Sequence, residues 1–136
     1  MSAMSDYLEG ELVKHLFRTG SFGKPSALYI GLFTVAPSDS SGGTEVSGGS
    51  YARAQLDPSD ANWTAPSAGD GKTGNGVQVS YGAPTGNWGT VVAFGIFDAA
   101  SGGNLLLHGA ISPTRTVLSG DPAPKFPVGA LQITFA

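Results

Sequence analysis

The sequence predicts a mainly β protein, an antiparallel β-sandwich or barrel-like domain of six to eight strands with one N-terminal α-helix. Three observations point there. Helical spacing of apolar residues occurs only between residues 6 and 18, short apolar segments follow one another from residue 27 onward, and 21 glycines and 9 prolines separate them. At 136 residues and 13.7 kDa the chain fits one domain spanning residues 1–136, with the helix at about 6–18 and the β region at about 27–136.

In the helix, Leu8, Leu12 and Leu16, flanked by Val13 and Phe17, recur at helical spacing. Asp6 and Glu9 have the spacing of an N-cap and its N3 partner, and Gly20 to Gly23 followed by Pro25 predicts the stop. The predicted strands are 27–34, 51–56, 77–81, 91–97, 105–111 and 131–135, with a seventh at 116–118. Val77, Val79 and Tyr81 alternate with polar residues, as do Leu131, Ile133 and Phe135, so these two strands have one wet face. Residues 28–33 and 91–97 are apolar on both faces and need cover on two sides. The helix can cover one side, and a neighbouring subunit is expected to supply the other in preference to loops. Asp98 and Gly102-Gly103-Asn104 predict a well-defined hairpin after residue 97. The connections 36–50 and 57–76 exceed usual loop lengths and are the expected sites of partner contact.

Charged residues make up only 12% of the chain, against roughly 25% in soluble domains, which favours burial of much of the exterior in an assembly. The net charge is −3, and the seven basic residues never cluster, so no nucleic acid is expected as a partner. No apolar run approaches the roughly 20 residues of a membrane helix, and residues 1–11 lack the pattern of a secretory signal, so neither membrane nor that export route is expected. The absence of cysteine removes thiol and disulfide chemistry and fits any redox compartment.

Candidate chemistry is equally sparse. His15 and His108 stand apart from any serine motif, and Gly48-Gly49-Ser50-Tyr51-Ala52 lacks the last glycine of a nucleophile elbow. The segment ending in Gly71-Lys72-Thr73 has Pro66 where a phosphate loop needs glycine, and it reads as a flexible loop. Two histidines 93 positions apart form no metal-ligand spacing, Asp57, Asp60 and Asp70 match no calcium loop, and no carboxylate pair stands out for glycoside cleavage. No catalytic residue, metal or cofactor is expected. Trp63 and Trp88, each beside turn residues, are read as plugs of a core or interface in preference to a sugar-stacking platform. The interface candidates are Tyr29, Phe33, Tyr51, Trp63, Trp88, Phe94 and Phe97.

The strings Leu28-Tyr29-Ile30-Gly31-Leu32-Phe33-Thr34 and Glu45 to Arg53 resemble a family of small tailed-phage virion proteins. Asn87-Trp88-Gly89-Thr90-Val91, Phe94 to Leu106 and the close at Val128-Gly129 to Phe135 extend the resemblance to nearly the whole chain. Such proteins are often labelled tail fibre proteins and are similar to capsid decoration, or cement, proteins. The resemblance implies a non-enzymatic virion component made in the host bacterial cytoplasm, with partners that include itself, as a homo-trimer or other homo-oligomer, and the major capsid protein or tail proteins. The chain carries no coiled-coil, collagen-like or β-helix repeat of the kind a fibre shaft requires, which favours a cement protein on the capsid surface. Such a subunit would stabilise the assembled shell by binding only that state. The alternatives are a tail-fibre or tail-tip component and a carbohydrate-binding module for host recognition.

Overall fold

A computed structural model describes residues 2–40 and 42–135. The two segments that are apolar on both faces sit at the centre of the main sheet: β2 (Tyr29–Val35) pairs antiparallel with β7 (Gly89–Phe97). β7 in turn pairs with the long β8 (Leu105–Val117), and β8 with β1 (Ser2–Met4). On the far side β2 receives the two-residue strands β3 (Thr44–Glu45) and β4 (Ala54–Gln55). A second layer consists of two ribbons, β5 (Lys72–Gly74) with β10 (Gln132–Thr134) and β6 (Val79–Ser80) with β9 (Lys125–Phe126). All pairings are antiparallel.

The mainly β class with one leading helix is therefore what the structure shows. Ten strands are seen among the described residues because β1, β3, β5 and β9 are too short and too polar to leave an alternation in the sequence. The segments predicted as separate strands at 105–111 and 116–118 are one strand. Their pairing with β7 jumps from Val91↔Arg115 to Ala93↔Ala110, and the slack falls at Pro113, which has no N–H to give to a ladder.

Alternation decides what each face of the sheet meets. Ile30, Leu32, Phe94 and Ile96 point into the main core, where Val79, Tyr81, Trp88, Leu131 and Ile133 join them. Val79 and Tyr81 are buried as predicted, as are Leu131 and Ile133, whereas Val77 and Phe135 are exposed. The opposite face carries a smaller cluster of Phe33, Ala93 and Phe97, packed by Tyr29, Val92 and Leu105. All three buried members are covered by this chain itself, so the neighbouring subunit expected to cover the second face is not needed for it.

The helix α1 (Asp6–Phe17) starts one residue earlier than the capping pattern predicted. Ser5 is the N-cap: its N–H donates to Leu106 O as the chain leaves β1, its Oγ accepts from Leu8 N–H, and that same hydroxyl donates to Leu105 O. A cap pinned to β8 through both groups outcompetes Asp6, which instead places its charge in the first turn, beside the positive end of the helix dipole. The helix ends at Phe17 through an extended Arg18, so the glycines at 20–23 do not cap it.

Candidate functional site

The outer sheet face is organised by one charged side chain. Arg53 lies with its guanidinium carbon 3.5 Å from the centroid of the Phe97 ring, and Phe97 stacks on Phe33 with centroids 6.1 Å apart. Its Nε and Nη2 donate to the two carboxylate oxygens of Glu45, each at 2.8 Å. Its Nη1 donates to Ala99 O and Gly102 O, which fixes the hairpin after β7. The Tyr51 hydroxyl donates to Glu45 at 2.7 Å and accepts from Leu32 N–H at 2.9 Å. The Arg53 side chain is only 7% exposed, and this fork-to-fork geometry with a cation over a ring is the arrangement in which an arginine tolerates burial.

Two glycines make room for it. Gly31 and Gly95 face each other across β2 and β7. A Cβ on Gly95 would stand 2.8 Å from the Phe33 ring and 2.9 Å from Leu105, and one on Gly31 would stand 2.8 Å from the Glu45 carboxylate. The hairpin itself is held as its sequence predicts: Asp98 Oδ1 accepts from Asn104 N–H at 2.7 Å, while Gly102 and Gly103 adopt positive φ.

The interface candidates divide by position. Phe33, Phe97 and Tyr29 belong to this outer cluster, with Tyr51 beside it. Phe94 and Trp88 are buried in the main core, where Trp88 stands edge-on to Tyr51 and Tyr81 and donates its indole N–H to Gly49 O. Burial pushes the Tyr51 hydroxyl well above its ordinary pKa, the Leu32 N–H opposing and Glu45 reinforcing the shift; burial does the same to Tyr81. Trp63 is half-buried beside an apolar groove of about 460 Å³ floored by Leu28, Ile96, Leu106 and Ile133. With Trp88 in the core, the two tryptophans do not form a joint sugar platform.

The two long connections are built into the fold. Residues 36–50 carry β3 and place Val46 in the core, so deleting them would remove Glu45 as well as any partner contact. Residues 57–76 carry β5 and, next to their end, Asn75, which is fully buried. Its Nδ2 donates to Val77 O and Pro127 O, and its Oδ1 accepts from Leu131 N–H. The flexible loop predicted there is thus, at its C-terminal end, a packed strand and a polar hub. Asn75, Arg53 and Glu45 were not singled out in the sequence. The one available signal for the last two is that they bound a string of the family resemblance, and nothing local in that string says that they pair.

The remaining titratable groups are spread over the surface. His108 Nε2 lies 2.7 Å from Asp39 Oδ1, and His15 Nδ1 accepts from Phe22 N–H. Among the described residues no three His, Asp or Glu side chains are grouped so as to hold a metal, and no helix is long and apolar enough to cross a membrane. Among the described residues the two most exposed large apolar side chains, Phe17 at 80% and Leu16 at 69%, lie on α1 with Val13 at 54%, while Leu8 is the one buried residue of that helix.

The model of one protein family matches residues 3–134, and its description is Podophage GP4 fiber I protein gp80. The match reaches every strand of both layers and includes the Glu45–Arg53 network and Asn75. No curated protein matches the chain.

Proposed function

The chain belongs to the Podophage GP4 fiber I protein gp80 family, a phage structural family, and from that premise we propose that it is a non-enzymatic building unit of the tail-fibre apparatus. The observation that carries this reading is the length of the match, which runs through every strand rather than through one shared motif. Such a unit acts by holding a rigid surface in place, and the fold supplies rigidity by internal means. Arg53 ties β3 and the hairpin to the central strands, and Asn75 ties β5 to the C-terminal segment. The expected capsid-decoration role has no such family support, and a fibre component answers the shortage of charge equally well. A compact unit builds a fibre through contacts with other tail proteins, without a repetitive shaft of its own.

The test is fractionation of purified particles into heads and tails, followed by mass spectrometry. Recovery with the tails is expected. Recovery with head shells would restore the decoration reading, and absence from both would remove the protein from the virion.

A further inference from the structure

We propose that the outward face of α1 is a self-association surface, on which the helix of a second copy of this chain packs antiparallel. This pairing rests on the proposed fibre role only in assuming several copies per particle; its test is made in solution and can fail without moving the protein's place in the virion.

Four features select a second copy as the occupant. First, Val13, Leu16 and Phe17 stand at i, i+3 and i+4, so the exposed side chains form one contiguous stripe. Second, Gly10 lies one turn earlier on the same face, exposed and in the middle of the helix, where glycine is less stable than alanine. Nothing lies within 4 Å of the position a Cβ would take there, so this chain's own packing does not require glycine. A helix crossing at close range does. Third, the charges are sorted along the axis: Asp6, Glu9 and Glu11 lie in its first half, Lys14, which also pairs with Glu11 at 2.8 Å, in the last turn, and Arg18 at the cap. Two antiparallel copies bring the acidic end of each beside the basic end of the other and oppose their dipoles. Fourth, that arrangement is isologous, so a single surface completes itself by two-fold symmetry.

The helix is about 18 Å long, and one such face falls short of the roughly 800 Å² per partner that stable complexes bury. The pair is accordingly weak when free and strengthened where copies are held together at high local concentration.

The chain has no cysteine, so a single introduced thiol reports the contact cleanly. Under mild oxidation Val13→Cys, near the proposed two-fold axis, is expected to form a disulfide-linked dimer at least tenfold faster than the exposed control Val77→Cys. Adding Leu16→Asp and Phe17→Asp to Val13→Cys is expected to remove that advantage, with an unchanged far-ultraviolet circular dichroism spectrum showing that the fold persists. As a second measurement, sedimentation equilibrium up to about 1 mM should show reversible dimers of wild type. Glu9→Lys alone and Lys14→Glu alone should each weaken them, and an equimolar mixture of the two variants should recover them. A wild type that stays monomeric throughout, equal cross-linking at residues 13 and 77, dimers that survive the two aspartates, or a mixture no better than its components would each overturn the proposal.

Discussion

Replacing Arg53 by methionine keeps apolar bulk over Phe97 but removes the donor to Glu45 Oε1 and to the Ala99 and Gly102 carbonyls, leaving Glu45 with the Tyr51 hydroxyl alone. Because Glu45 is partly exposed, water can recover some of that loss, and the expected cost is about 2–3 kcal/mol in a urea melt. Equal stability of Arg53→Met and wild type would show that the network is incidental. Tyr51 and Tyr81 add a pH dependence whose sign is fixed. In the unfolded chain their phenols lose a proton near pH 10, whereas burial raises both in the fold. The folded state therefore binds more protons above that pH, so this stabilisation is complete below about pH 10 and declines as pH rises. The expected decline is at most about 1.4 kcal/mol per pH unit per tyrosine. Melts between pH 8 and 11.5 should show Tyr51→Phe with a shallower decline than wild type; an identical slope would contradict the assignment. Little of this was legible beforehand. Tyr51 and Phe97 are conspicuous as large aromatics, but nothing in the spacing of Glu45, Tyr51 and Arg53 says that a loop folds back to bring them together.

The facing pair Gly31 and Gly95 sets the behaviour of β2 and β7. Gly95→Ala puts a methyl group into the Phe33 and Leu105 side chains and is expected to cost about 1–3 kcal/mol, measured by thermal unfolding. Gly102→Ala, with open space around it, should be destabilising only through its positive φ and by less. A Gly95→Ala protein as stable as wild type would mean that the outer cluster is loosely packed. In the second layer, Asn75→Ala would leave Leu131 N–H and two carbonyls without partners in a dry interior, an expected loss of at least about 2 kcal/mol. The long apolar strands were legible because continuous hydrophobicity or clean alternation survives any context. The helix was legible in extent but not in orientation. Its apolar residues occupy two faces, and only contact with β8 shows that Leu8 and Leu12 turn inward while Val13, Leu16 and Phe17 turn out. Two-residue strands such as β3 and β9 exist because a partner strand is present, so no local pattern could announce them.

At the scale of the molecule, the shortage of charge and the apolar outer helix face have one physical meaning. Seven basic and ten acidic residues are spread over 7369 Å², a larger surface than the roughly 6,600 Å² of a compact monomer of this mass. Phe33, Ala93 and Phe97 on the second face of the main sheet are nonetheless buried by the chain's own residues. The two most exposed large apolar side chains among the described residues, Leu16 and Phe17, lie on α1, with Val35, Val77, Leu118, Val128 and Phe135 exposed elsewhere, and sequence composition could state that such surface exists but not where. Family membership over residues 3–134 places the chain among phage structural proteins, and the position on the particle decides what its surface is for. The most direct measurement is electron cryomicroscopy of intact particles labelled with gold-conjugated antibody against this chain. Gold clustered at the tail fibres is the result expected here; gold distributed over the head lattice, or no gold on the particle, would contradict the account.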